Sequence, residues 1–328
     1  MRALEFCRFG GPEVLALGER PVPELAPGTA LVRTHAIGLN YADVYRRQGN
    51  YHLEGEPPWV LGYEAAGVIE ALVPPAETAG AQPSWVCAVG DRVAFADVPH
   101  ANAELVRAPL DRLVPVPDAL GLDTAAAVLL QGLTAQYLID DSRALRAGET
   151  VLVHAAAGGV GLLLVQLATL RGARVMALSS SDEKLAAARA AGATEVARYD
   201  SDWVAAAKAF GAGGVDVVYD SVGTTLWDSL AAARIGGQVV FYGMAGGEPP
   251  MVDPRRLMDR SQTLTGGDLW NVLTSHEARL VRSRALFAAV CNGQLAVHIA
   301  ARVPLADGAS AHRLLESRRT SGKVLLIP

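Results

Sequence analysis

A short apolar run, Val151-Leu152-Val153, leads into Ala156-Ala157-Gly158-Gly159-Val160-Gly161, and the residues that follow repeat at helical spacing. Strand, glycine-rich bend and helix in that order form the dinucleotide-binding turn of a Rossmann unit. Gly158 takes the place where the backbone approaches a pyrophosphate, and Gly161 the place where the helix packs on the strand. Ala156 stands where the first glycine of the usual pattern would be. A helix opening near Gly159 points its free N–H groups and the positive end of its dipole at a phosphate. Along it Val160, Leu163, Leu164, Leu167 and Ala168 recur at the spacing of one buried face. Residues 151–170 carry no charged side chain and are long enough to cross a bilayer. The glycines near the middle and the next apolar run, Arg174-Val175-Met176-Ala177-Leu178, favour strand, turn and helix instead.

At 328 residues the chain exceeds the size at which one hydrophobic core stops growing, which implies two domains. Up to about residue 120, Ala30-Leu31-Val32-Arg33-Thr34, Gly67-Val68-Ile69-Glu70 and Asp91-Arg92-Val93-Ala94-Phe95 read as short strands bounded by Pro and Gly. Residues 73–84 read as a surface loop. From Asp123 onward, helix and strand alternate. After the first unit come a strand at 174–179, a helix over 182–191 stopped by Gly192, a strand near 195–199 and a helix from Asp200. A strand at 215–219, a helix through 226–234 and a strand at 238–242 follow. Such repetition implies a parallel sheet covered on both faces. Lys323-Val324-Leu325-Leu326-Ile327 is strand-like and is expected to return to the first domain. The fold class is therefore α/β, a doubly wound parallel sheet plus a β-rich domain. The expected boundaries are 1–123, completed by 300–328, and 124–299.

Hydrophobic residues at 51% and charged residues at 19% describe a compact chain, not a disordered one. A net charge of -5 without a Lys/Arg block leaves no electrostatic footprint for nucleic acid or an anionic membrane. Cys7, Cys87 and Cys291 are too scattered for a disulfide framework or a paired-cysteine zinc site. Met1-Arg2-Ala3-Leu4-Glu5 lacks the apolar core of a signal peptide, so the expected compartment is the cytoplasm.

In an NAD site an acidic residue about twenty positions beyond the glycines binds the ribose hydroxyls. Ser179 occupies that place here. An aspartate would repel a 2′-phosphate, whereas Ser179, Ser180 and Ser181 offer small donors and Lys184 a positive charge, which favours NADPH over NADH. Ser180 also reads as the cap of the next helix, with Glu183 completing a capping box. Asp182 argues the other way, being close enough to oppose a phosphate if its side chain turns inward.

With those residues in place, the chain resembles the zinc-independent, ζ-crystallin-like quinone oxidoreductases of the medium-chain dehydrogenase/reductase superfamily. The resemblance rests on Phe9-Gly10-Gly11-Pro12-Glu13-Val14-Leu15, Ala36-Ile37-Gly38-Leu39-Asn40-Tyr41-Ala42-Asp43-Val44-Tyr45, and Leu61-Gly62-Tyr63-Glu64-Ala65-Ala66-Gly67-Val68. Further along it rests on Gly90-Asp91-Arg92-Val93, Gln131-Gly132-Leu133-Thr134-Ala135, the segment His154 to Gly161, Tyr219-Asp220-Ser221-Val222-Gly223 and Leu314-Leu315-Glu316-Ser317-Arg318. It implies a GroES-like β domain made from both chain ends, a Rossmann domain, and nicotinamide in the cleft between. It implies NADPH contacts from Asn40, Tyr45, Thr134, Gly158, Gly159, Val160, Ser180, Lys184, Tyr199, Ser221, Phe241, Tyr242, Gly243 and Arg318. Lys184 and Tyr199 would hold the 2′-phosphate end, and Asn40, Tyr45 and Thr134 would lie near the nicotinamide. A homodimer joined through the edge of the nucleotide domain is the family's expected assembly, with the apolar 238–242 region near that edge.

Zinc chemistry is not expected, because Asn40 stands where the superfamily's zinc branch has a cysteine and Tyr63 where it has a histidine. His35, His52, His100 and His154 are scattered along the sequence and read as solvated or core residues. The expected reaction moves reducing equivalents from NADPH to a quinone by positioning alone. Tyr45 and Tyr51 are candidates for lining the acceptor pocket, and each reads equally as a packed aromatic; Asn40 would fix the cofactor and a substrate oxygen. Residues 265–273, with Gly266, Gly267, Asp268 and Trp270, depart most from the family pattern. Two alternatives stand beside this reading: reduction of an activated carbon–carbon double bond, as in enoyl or alkenal reductases, and NADPH binding without catalysis.

Overall fold

The computed structural model describes residues 1–53, 55–75 and 87–328. The loop expected at 73–84 therefore lies, from residue 76 onward, outside the described residues. The chain divides into two units, Met1–Leu130 with Leu273–Pro328, and Gln131–Val272. The first boundary falls inside the helix Leu122–Tyr137, seven residues beyond the 123/124 boundary read from sequence. The second falls at 272/273, where the sequence reading placed it at 299/300.

The first unit is built on a seven-stranded sheet. Its order is Ile299–Pro304, Lys323–Ile327, Thr29–Leu39, Glu64–Val73, Arg92–Ala96 and Leu113–Pro115, with Leu105–Pro109 also paired to Thr29–Leu39. The tail strand does return to this unit, wedged between Ile299–Pro304 and Thr29–Leu39. A smaller sheet joins Ala16–Glu19, Arg2–Phe6 and Trp59–Val60. Phe6, Phe95, Ile37, Leu61, Leu113 and Leu326 share one apolar core. Gly67 sits at the bulge between Thr29–Leu39 and Glu64–Val73, where a Cβ would lie 2.0 Å from the Arg33 carbonyl oxygen. No larger residue fits there.

The second unit is a wholly parallel six-stranded sheet. Its strands in chain order are Thr150–Val153, Arg174–Ser179, Glu195–Arg198, Val215–Asp220, Ala233–Phe241 and Thr263–Gly266. Across the sheet they lie in the order 3-2-1-4-5-6. That is the doubly wound Rossmann arrangement.

Several boundaries differ from the sequence reading. The helix expected through Arg234 stops at Ala232, and Ala233 already pairs with Val215. A bulge at Gly236, whose φ is +71°, lets the three residues before it join the strand. The helix expected from Asp200 starts at Trp203, because the Asp202 carboxylate accepts from the Ala205 N–H at 3.0 Å and caps it there. The helix Gly159–Leu170 buries more than one face: Leu162 and Val165 are buried with Leu163, Leu164 and Ala168, while Val160 and Leu167 are half-buried. Residues 238–242 lie one strand in from the edge, which is formed by Thr263–Gly266.

Candidate active site

In an open α/β sheet, ligands bind beyond the carboxyl ends of strands where the order reverses. Here that point lies between Thr150–Val153 and Val215–Asp220. The first of these strands runs into the glycine-rich bend. Ala155 has a φ of +45° there, a left-handed conformation that costs an L-residue about 1–2 kcal/mol. Gly158 precedes the helix in extended conformation and donates to the Ala155 carbonyl at 2.8 Å. A Cβ on Gly159 would lie 2.0 Å from Gln131 Oε1, and one on Gly161 2.4 Å from the Ala155 oxygen. The bend therefore presents bare amides at a helix N-terminus, the cradle a diphosphate requires. Thr134 is half-buried on the helix Leu122–Tyr137.

Behind the bend runs a buried polar chain that the sequence reading missed. The Tyr199 hydroxyl accepts from the Ala155 N–H at 2.8 Å and stands 3.3 Å from His154 Nδ1. On the other side, His154 Nε2 lies 3.0 Å from Ser229 Oγ, which donates to Asp220 Oδ2 at 2.7 Å. Asp220 Oδ1 accepts the N–H groups of Val222 and Gly223 at 2.8 and 3.0 Å, and Thr225 Oγ1 donates to Oδ2 at 2.8 Å. His154, Asp220 and Ser229 are fully buried. Burial works against ionisation of Asp220, but the neighbouring His154, Ser229 and the turn amides together hold its pKa below the ordinary carboxylate value. Burial pushes the His154 pKa down, against the pull of Asp220 and Asp228. The sequence reading names Tyr199 as a cofactor contact, His154 as a solvated or core residue and Asp220 within a motif read for Ser221, but nothing in it joins them, and Ser229 is not singled out.

Ser221, Phe241, Tyr242 and Gly243 gather beside that turn. The Tyr242 N–H donates to the Asp220 carbonyl at 2.9 Å, and the Ala245 N–H to the Ser221 carbonyl at 3.0 Å. At the far end, Ser181, not Ser180, caps the helix Asp182–Ala190, accepting from the Lys184 N–H at 3.4 Å. The reason is register: the strand runs through Ser179, so Ser180 is spent on the turn and lies exposed. Asp182 is turned toward Arg198, 3.5 Å away, and Arg198 also pairs with Asp200 at 2.7 Å. Arg198 is a cation at this end that the sequence reading did not single out.

In the first unit, Asn40 opens the helix Tyr41–Gln48, its backbone N–H donating to the Asp43 carboxylate at 2.9 Å. Its side-chain amide donates to the Gly38 carbonyl at 3.0 Å and to Glu64 Oε2 at 3.1 Å, and accepts from Lys323 Nζ at 2.8 Å. Lys323 Nζ also bonds Glu64 Oε2 at 2.6 Å, and both side chains are at most 1% exposed. The other Glu64 oxygen accepts the Leu130 N–H at 2.6 Å. Both amide hydrogens of Asn40 are thus committed inside the protein. Burial raises the Asp43 pKa, with Arg46 pulling against it.

Tyr45 and Tyr51 meet edge to face with ring centroids 6.5 Å apart, and Tyr41 lies 6.1 Å from Tyr45. The buried Arg46 guanidinium stacks 3.6 Å over Tyr63 and 4.9 Å over Tyr51, and its Nε donates to the His52 carbonyl at 3.0 Å. Arg318 is exposed in left-handed conformation, φ +55°, beside Tyr41.

Comparison with known proteins fits this geometry. Residues 26–149 match the alcohol dehydrogenase GroES-like domain, and residues 159–281 the zinc-binding dehydrogenase family. A quinone oxidoreductase of Pseudomonas aeruginosa is 38% identical, covering 100% of this chain and 99% of the relative. The chain belongs to the quinone oxidoreductase family. A 2-haloacrylate reductase of a Burkholderia species is 36% identical over 97% of this chain and 96% of its own. The crystal structure of the Escherichia coli quinone oxidoreductase complexed with NADPH superposes with a TM-score of 0.94 at 34% identity, over 100% of both chains.

Although one matched family is named for zinc, the polar cluster at Asn40 does not suit that metal. Zinc takes thiolate, imidazole or carboxylate donors. Here an amide and one carboxylate already surround a buried ammonium, whose charge would oppose a divalent cation. Among the described residues no three His, Cys, Asp or Glu side chains converge on a common point. No described helix is long and apolar enough to cross a membrane.

Proposed function

We propose that this chain is an NADPH:quinone oxidoreductase that works without zinc. The observation that carries the reading is the amide-lined bend at the strand-order reversal, in a chain whose full length matches quinone oxidoreductases. Gly158, Gly159 and Val160 would hold the diphosphate, with Ser221, Phe241, Tyr242, Gly243 and Thr134 toward the nicotinamide. Lys184 is assigned to the 2′-phosphate end with Ser180 beside it; Tyr199, which the resemblance also assigns there, has its hydroxyl tied to Ala155 and His154 and contributes only its ring, and Arg318 is assigned to the cofactor. NADPH, when bound, supplies a hydride; together with one proton this takes a quinone to its hydroquinone. Tyr45 and Tyr51 are assigned to the acceptor, one phenol donating to a quinone oxygen. Asn40 acts there as a fixed wall tied to Glu64 and Lys323, since its amide hydrogens are already bonded. Electrostatic preorganisation of this kind lowers barriers without reorganisation at the moment of reaction.

A homodimer in the cytoplasm completes the proposal. Ile235 at 68% exposure and Met251 at 92% leave apolar surface in the segments flanking the sheet edge, and light scattering tests it. The 36% identity to a 2-haloacrylate reductase supports a second reading, reduction of an activated double bond. NADPH oxidation measured with 1,4-benzoquinone, 9,10-phenanthrenequinone, an enone and 2-chloroacrylate decides between them. Turnover of the quinones supports the first reading; turnover of only the unsaturated compounds replaces it with the second. Binding of NADPH without turnover of any acceptor would leave a nucleotide-binding protein.

A further inference from the structure

We infer that His154 is a positioning residue that locks the two nucleotide-facing turns, 154–161 and 220–225, into one arrangement before the cofactor arrives. The inference rests on the proposed nucleotide site and adds a residue to it. Hydrogen bonding and burial together assign a direction to the chain. Asp220 accepts the Val222 and Gly223 N–H groups at one oxygen and the Thr225 hydroxyl at the other, the pattern of a carboxylate with no proton to give, so the Ser229 hydroxyl donates to it across their 2.7 Å contact. A serine hydroxyl has one hydrogen. Ser229 Oγ can then only accept from His154, which places the imidazole hydrogen on Nε2. Full burial disfavours a second proton on the ring, so Nδ1 acts as an acceptor, and the Tyr199 hydroxyl is the donor that faces it at 3.3 Å. Tyr199 in turn accepts the Ala155 N–H. The sequence Ala155, Tyr199, His154, Ser229, Asp220 is a single directional chain in which each buried group is satisfied.

Each end of the chain grips a turn. Ala155 is the pivot of the glycine-rich bend: its carbonyl receives the Gly158 N–H, and its left-handed backbone persists only where surroundings over-determine it. Asp220 organises the opposite turn through Val222, Gly223 and Thr225. His154 is the one member that joins the two halves. The Trp203 ring also lies edge-on to it at 5.2 Å and the Tyr199 ring stacks at 5.8 Å, while Asp220 and Asp228 are the carboxylates that act on its charge. A neutral imidazole bridging both turns holds the amides that meet the diphosphate, a part shared by NADPH and NADH.

That sharing supplies the test. Dissociation constants for NADPH and NADH are measured by fluorescence titration on the wild type, His154→Ala, His154→Asn and Ser229→Ala, with melting temperatures alongside. Loss of the bridge is expected to weaken both nucleotides alike, by about tenfold in His154→Ala, the scale of one or two net hydrogen bonds. His154→Asn, whose side-chain oxygen can still accept from Tyr199, should recover part of that loss. Nitrogen-15 spectra of the unliganded wild type should show the Nε2–H tautomer unchanged between pH 6 and 8. An Nδ1–H or titrating imidazole overturns the inference, as do variants that bind both nucleotides like the wild type, and variants that lose NADPH alone. If the wild type bound neither nucleotide, the proposed function would fail, while the tautomer would still judge the chain.

Discussion

The bend at 154–161 and the cluster around Glu64 solve the same problem, fixing a polar surface in a dry place, with opposite chemistry. In the second unit the surface is backbone amide, shaped by glycines that exclude side chains and braced by a hydrogen-bonded relay through a buried histidine. In the first unit it is full charge: an ammonium and a carboxylate with almost no exposure, separated by 259 positions in sequence. The amide surface depends on what is absent from each residue, whereas the charged one depends on two side chains being present together. The first should therefore respond to added atoms and the second to removed ones.

Lys323→Met gives the largest expected effect. It leaves Glu64 buried without its cation, a change that costs about 3–5 kcal/mol, read as a lower urea midpoint. Adding Glu64→Gln in the same chain should restore part of the loss; if the double variant is no more stable than the single, the pair is not the source. Gly161→Ala comes next, since its Cβ would press on the Ala155 oxygen and Ala156 backbone, which cannot rotate away. About 1–3 kcal/mol of overpacking is expected, together with weaker binding of both nucleotides. Gly159→Ala should do less, because the clash there is with the movable end of Gln131.

Lys184→Ala sharpens the comparison within the second unit. It should cost NADPH about tenfold in affinity, the scale of a charge-assisted hydrogen bond, and leave NADH unchanged. Equal losses would remove Lys184 from the phosphate end. The smallest effect concerns the imidazole that each unit buries. His312 lies 3.0 Å from the Arg47 guanidinium, and burial with that cation pushes its pKa from 6.5 down to about 3. The unfolded chain takes up that proton below pH 6.5 and the folded one does not, so stability falls as pH falls. Between pH 6 and 5, His312→Gln should flatten the stability profile relative to the wild type by up to about 1.4 kcal/mol per pH unit.

The same contrast explains what was legible in the sequence. The parallel strands announce themselves as apolar runs, and the bend is written in consecutive residues, so both the parallel sheet and the nucleotide turn follow from local pattern, while the strand order comes only with the fold. Strand ends were less legible: the Gly236 bulge drew Ala233 out of a helix that its alanines and leucines favoured. The Ser181 cap lay one residue from the expected Ser180, because adjacent serines do not reveal where a strand stops. Glu64 and Lys323 gave no sign of each other, since a lysine at the head of a tail strand looks solvated until the fold encloses it. Arg46 was likewise hidden, because Tyr51 reads as an acceptor-pocket candidate and Tyr63 as the replacement for a zinc-branch histidine, neither of which points to a stacked guanidinium.

The strand Lys323–Ile327 sits between neighbours from the same unit that are far apart in the chain, and it carries the ammonium for a cluster whose other members lie near residues 40 and 64. On the ribosome, the unit translated first is thus the one completed last: its sheet stays open and its carboxylate uncompensated while the whole parallel sheet emerges. Synthesis order makes the nucleotide unit the earlier of the two able to fold, and prematurely terminated chains lose the counter-charge along with the closing strand.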